Sequence, residues 1–121
     1  MAKILVVDDE APMRRLLKEV LSQDSHEVRE ASDGAQACAM FRDEPADLII
    51  TDLRMPEIGG IDLILKLRRD YPASRIIAIS GGGTDGRVDY LDVARQIGVS
   101  QVISKPFQIS VLRDAVGEAL S

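Results

Sequence analysis

Apolar residues in this chain follow two rhythms that alternate from one end to the other. Short, nearly continuous aliphatic runs cover residues 4–7, 47–51 and 75–80, as parallel strands buried on both faces should. Between them, apolar residues recur at the i, i+3, i+4 spacing of a helix face. The first such stretch carries Met13, Leu16, Leu17, Val20 and Leu21, with Pro12 placed near its first turn. A second helix is predicted over 34–44, stopping before Pro45 because the residue preceding a proline is pushed out of the helical region. The third begins after Gly59-Gly60 and should bury Ile61, Ile64 and Leu65. The fourth shows Tyr90, Val93, Ala94 and Ile97, ended by Gly98 as a natural residue just past the helix. The fifth repeats the pattern with Leu112, Ala115, Val116, Ala119 and Leu120. Residues 26–31 and 101–104 are more mixed, which predicts edge strands and leaves strands one, three and four at the centre. Five strands alternating with five helices predict an α/β fold, a parallel sheet covered on both faces.

Length and composition narrow the picture. The 121 residues fit one domain, and with no linker, repeat or low-complexity tract the whole of 1–121 is expected to be that domain, with nothing left over for an output domain. A hydrophobic share of 45% with 29% charged residues suits a soluble globular protein rather than a disordered one. No apolar run approaches the ~18 residues of a spanning helix, and the short run after Met1-Ala2-Lys3 lacks the features of a signal peptide. A cytoplasmic protein without membrane contact is expected. The net charge of -5 argues against direct nucleic-acid binding, which is built largely from Lys and Arg contacts. Arg14, Arg15 and Lys18, and Lys66, Arg68 and Arg69, fall on polar helix faces where solvated charge is the default. The single cysteine, Cys38, cannot form an internal disulfide and sits among Ala37, Ala39 and Phe41, where buried packing is expected.

The chemistry gathers at the strand ends. In an open α/β sheet the binding crevice lies beyond the carboxyl ends of the strands. Strand one ends in Asp8-Asp9, strand three in Thr51-Asp52, strand four in Ser80, and strand five runs into Lys105-Pro106. Any one of these aspartates alone would read as a turn former or helix cap. Together they bring three carboxylates close, at a mutual repulsion of roughly 1 to 4 kcal/mol per pair at 4 Å. A hard divalent cation offsets that repulsion, and Mg²⁺ favours one or two carboxylates with waters and phosphate oxygens. Lys105 adds a mobile positive charge, and the Ser80 hydroxyl a neutral donor. The set suits capture of a phosphoryl group by a carboxylate nucleophile.

The motifs V-V-D-D-E at 6–10, D-G at 33–34, P-A-D-L-I-I-T-D-L-R-M-P at 45–56, G-G at 59–60, I-S-G at 79–81 and K-P-F at 105–107 resemble the receiver domains of two-component response regulators over essentially the full chain. The resemblance implies a flavodoxin-like doubly wound sheet of order 2-1-3-4-5. It implies that Asp52 accepts a phosphoryl group from a sensor histidine kinase or phosphotransfer protein, and that the modified protein acts on a downstream protein target. Asp9 would bind Mg²⁺ directly, Asp8 mainly through water, and Asp52 and the Arg54 backbone carbonyl would complete the protein ligands. Lys105 would contact the phosphoryl group, placed by a cis Lys105-Pro106 bond, and Ser80 would swing inward on phosphorylation. Gly81 matches a family position that is usually small, leaving the phosphoryl path open. One element departs from the pattern: the position three before the lysine, commonly aromatic, is Val102. The Gly81-Gly82-Gly83 loop is then either a substitute route for coupling, glycine restricting the backbone little, or a plain connection.

Three rivals remain. A haloacid-dehalogenase-like phosphohydrolase also combines an aspartate nucleophile, Mg²⁺ and a lysine, but needs a second aspartate where Arg54 stands. A flavin-binding module needs aromatic stacking, and aromatics are only 3%. A receiver-like module that signals by contact alone is disfavoured by the complete acidic set.

Overall fold

Aliphatic runs become strands and periodic stretches become helices, in strict alternation. The computed structural model describes residues 2–53, 59–81 and 90–121, with the side chains of Tyr90 and Leu91 outside the described part. The order is β1 (Lys3–Val7), α1 (Ala11–Gln23), β2 (Glu27–Ala31), α2 (Gly34–Asp43), β3 (Leu48–Asp52), α3 (Gly60–Asp70), β4 (Ile76–Ser80), α4 (Tyr90–Gln96), β5 (Gln101–Ser104) and α5 (Ile109–Leu120). All pairings are parallel and the sheet order is β2-β1-β3-β4-β5, the flavodoxin-like arrangement. β2 and β5 are the edges and the aliphatic strands the centre, as their composition predicts.

Each central strand feeds two cores because successive side chains point to opposite faces. Ile4, Val6, Leu48, Ile50, Ile77 and Ile79 pack on the face covered by Leu17, Val20 and Leu21 of α1 and Leu112 and Val116 of α5. Leu5, Val7, Ile49, Ile76 and Ala78 pack on the other face, against Ala37 and Phe41 of α2, Leu63, Ile64 and Leu67 of α3 and Ala94 of α4. Cys38 is half-buried against this second core, so its packing role holds only in part.

Several helix faces differ from expectation. Leu65 is 47% exposed, and Leu63 and Leu67 take the buried positions with Ile64, while Ile61 is half-buried. The apolar run 63–65 is longer than a helix face is wide, so periodicity left the choice of buried edge to packing. Leu16 is likewise 39% exposed on α1.

Two of the basic residues assigned to solvent are structural. The Arg68 guanidinium donates to the Pro72 and Ser74 carbonyls at 3.0 Å each and also to the Gly98 carbonyl, tying the end of α3 to the end of α4. Gly98 takes φ +86°, the left-handed conformation that ends a helix at little cost in a residue without Cβ. The second residue is Arg14, whose partners belong to the site.

Candidate functional site

The carboxyl ends of β1, β3, β4 and β5 carry the residues expected to form the site. Asp52 closes β3 within the sheet, paired with Ile79 of β4. Asp8 follows β1, and its N–H donates to the Ala31 carbonyl at 3.1 Å. Both are almost fully buried, 5% and 2% exposed, whereas Asp9 is exposed. Lys105 reaches in from beyond β5 to meet Asp52 Oδ2 at 2.8 Å and Asp8 Oδ2 at 3.5 Å. Its N–H donates to the Ser80 carbonyl at 2.6 Å, which locks the ends of β4 and β5 together. Ser80 itself is buried, and the Lys105-Pro106 bond is cis.

Burial is the main influence on Asp8 and raises its carboxyl above the usual carboxylate range. The Glu10 N–H and the Lys105 charge pull the other way. For Lys105 the largest single influence, burial, lowers the ammonium, but the hydrogen bond and charge of Asp52, helped by Asp8, outweigh it and hold it above the usual lysine value.

Side chains to which the sequence reading gave no role in the site shape the pocket. Glu10 contributes a fourth carboxylate: one oxygen each from Asp8, Asp9, Glu10 and Asp52 lie within 4.8 Å of one another. Arg14 donates to the Asp8 backbone carbonyl and faces Glu30 of β2, with Nε 3.6 Å from Oε1, so it braces the acidic loop against an edge strand. Lys18 also faces Glu30, at 3.5 Å. The Thr51 hydroxyl donates to the Asp52 carbonyl at 2.9 Å. Gly60 starts α3 pressed against the chain leaving Asp52, where a Cβ would stand 2.1 Å from the Asp52 carbonyl oxygen. The only sequence signals were Arg14 one helical turn beyond Glu10 and glycines before an apolar helix, both too common to single out.

The remaining expected positions divide. Gly81 is exposed, and among the described residues no atom stands within 4 Å of where a Cβ would sit. Val102, paired with Ala78, is half-buried against the second core. Arg54, Gly82 and Gly83 lie outside the described residues. A groove of about 390 Å³ lined by Met13, Leu16, Gly81, Lys105, Pro106 and Phe107 opens beside the lysine, and Leu16 keeps its exposure on that groove.

Chemically, the donors are all hard carboxylate oxygens, with no thiolate or imidazole among them. Such a set suits Mg²⁺, Ca²⁺ or Mn²⁺ rather than a soft metal. The family model of the response regulator receiver domain matches residues 4–117. The chain belongs to that family.

This receiver domain is similar to the chemotaxis protein CheY of Bacillus subtilis (strain 168), 36% identical over 120 residues that span 98% of each chain. It is similar also to sporulation initiation phosphotransferase F of the same organism, 30% identical over 118 residues, 98% of this chain and 93% of the other. Among solved structures, a response regulator receiver domain protein from Clostridium thermocellum matches with TM-score 0.90 and 30% identity, over 99% of this chain and 94% of that one. The receiver domain of NtrX from Brucella abortus matches with TM-score 0.89 and 31% identity, over 97% of each. The receiver domain is thus a phosphorylation-activated signalling module of two-component systems, and the phosphohydrolase alternative is not favoured. No helix among the described residues is long and apolar enough to cross a membrane.

Proposed function

We propose that Asp52 is the phosphoryl acceptor of this receiver domain and that a phosphohistidine on a sensor kinase or phosphotransfer protein is its donor. The observation that carries this reading is the buried Asp52 carboxylate held 2.8 Å from the Lys105 ammonium at the centre of an acidic cluster. In the transfer, an Asp52 oxygen forms the new bond to phosphorus as the phosphorus–nitrogen bond to the histidine breaks. Lys105, already charged, exchanges its carboxylate contact for the incoming phosphoryl oxygens, and Ser80 turns its hydroxyl toward them as a donor. Asp9 would be the direct Mg²⁺ ligand, Asp8 would hold the ion mainly through water, and Asp52 and the Arg54 backbone carbonyl would complete the set. Bound there, Mg²⁺ supplies neutralisation of the carboxylates and of the charge developing on the phosphoryl group.

In this reading the protein works in the cytoplasm, where the kinase's phosphohistidine is presented. Water reaching the same pocket releases the phosphoryl group slowly, so the domain is a switch that passes its state to a protein target and not a turnover catalyst. Intact-mass measurement after incubation with acetyl phosphate and Mg²⁺ tests the assignment. The parent should gain one phosphoryl group and Asp52→Asn none; equal modification of both proteins would refute it.

A further inference from the structure

We infer that Glu10 is a working member of the cation pocket and tunes which divalent ion it prefers, an inference that rests on the acidic cluster being the cation site of the proposed function. Glu10 occupies the position that caps α1, yet its side chain makes no capping hydrogen bond. Its main chain is fully committed: the N–H donates to Asp8 Oδ1 at 2.8 Å and the carbonyl accepts from the Arg14 N–H at 3.1 Å. The backbone is therefore fixed while the carboxylate remains available, exposed and without an ion pair among the described residues. That carboxylate lies within 4.8 Å of the ligand oxygens of Asp8, Asp9 and Asp52.

Charge gives this placement its consequence. Among the described residues, four carboxylates face one ammonium, Lys105, which is already bound to Asp8 and Asp52. The next cation, Arg14, is engaged by the Asp8 carbonyl and Glu30. Three formal negative charges are left for a cation to offset. Mg²⁺ is satisfied by one or two carboxylates and retains several waters, whereas Ca²⁺ accepts six to eight oxygens in flexible geometry. A longer, exposed glutamate added to three short aspartates therefore helps Ca²⁺ more than Mg²⁺. Helix electrostatics offers a plainer role, since an acid at a helix N-terminus is stabilising by itself. The two roles predict opposite signs in metal-free protein: removing a dipole partner lowers stability, and removing a repelled carboxylate raises it.

Isothermal titration with MgCl₂ and CaCl₂ at fixed ionic strength, on the parent, Glu10→Gln and the exposed control Glu19→Gln, tests the inference. Glu10→Gln should weaken Ca²⁺ about tenfold and Mg²⁺ about threefold, the scale of one charge several ångströms from a divalent ion in a high dielectric. Glu19→Gln should leave both within about twofold. In chelator, the thermal midpoint of Glu10→Gln should be higher than that of the parent. Parent-like affinities in Glu10→Gln, equal weakening of both ions, or a lowered metal-free midpoint would each overturn the inference. If Asp9→Asn still loses Mg²⁺ in that case, the cation pocket itself stands. A parent that binds neither ion would remove both.

Discussion

At the scale of single residues, Asp8 and Lys105 pull stability in opposite directions with pH. Burial holds the Asp8 carboxyl above its ordinary value, so the folded chain binds that proton more tightly than the unfolded chain. Its contribution is fully present below the ordinary carboxylate range and is lost as pH rises through the elevated folded value. Lys105, net raised by Asp52 and Asp8 against burial, contributes stability below the ordinary lysine value and loses it as pH rises past its folded one. At neutral pH Asp8 is therefore a cost and Lys105 a gain. Asp8→Asn, which keeps an oxygen for the Glu10 N–H, should raise metal-free stability at pH 7, and the gain should vanish once the pH falls below the ordinary carboxylate range. Urea unfolding in chelator above and below that range measures it. Arg14 acts on the same loop through the Asp8 carbonyl. Removing such an outer partner of a metal site typically costs tenfold or more in affinity, so Arg14→Ala should weaken Mg²⁺ by about tenfold while Arg15→Ala leaves it unchanged, as read by NMR titration.

At the scale of elements, the decisive contact is the start of α3 against the end of β3. A Cβ on Gly60 would meet the Asp52 carbonyl oxygen at 2.1 Å and the Leu53 Cα at 2.6 Å, both backbone atoms that cannot swing aside. The helix would have to lift from the strand that presents Asp52. Gly60→Ala should therefore cost about 2–3 kcal/mol, the upper range for overpacking, and should slow phosphorylation by acetyl phosphate as well. Gly81→Ala is the matched control for stability, because no described atom stands within 4 Å of its added Cβ. Its stability should stay within ~0.5 kcal/mol of the parent. Denaturant midpoints separate the two variants, and the rate of mass increment compares Gly60→Ala with the parent. A Gly60→Ala protein of parental stability would show that α3 can shift without cost.

At the scale of the whole molecule, one sheet serves two cores, and the pocket lies where four of its strands end. Any ligand that bridges those ends binds the folded chain and not the unfolded one. Mg²⁺ with beryllofluoride, a stand-in for the phosphoryl group, should then stabilise the protein by about 2.7 kcal/mol at a hundred times its Kd. The thermal midpoint should rise by roughly 10 °C. Asp52→Asn should abolish the increase due to beryllofluoride. An increase that survives in Asp52→Asn would place the anion elsewhere.

Much of this architecture follows from local pattern alone. Alternating side chains make a doubly covered parallel strand read as a continuous aliphatic run, and the polar residue ending each run marks the crevice edge. For that reason Asp8, Asp9, Asp52, Ser80 and Lys105 were legible in the sequence, as were the edge character of β2 and β5 and the glycine that ends α4. Local pattern is silent on which separate segments meet. Lys105 finds Asp8 across 97 positions, Asp52 across 53, and Arg68 finds Gly98 across 30. Whether a lysine or arginine is solvated or braces a loop depends on which carbonyl the packed elements bring within reach, as Arg14 and Arg68 show. The same holds for Leu65, apolar but left in water, and for Gly60, required by a contact its neighbours in sequence do not make. The sequence by itself determined the elements and the polar side chains at their ends; tertiary packing decided partners, exposure and the fourth carboxylate, because those depend on distances that only the assembled sheet and helices define.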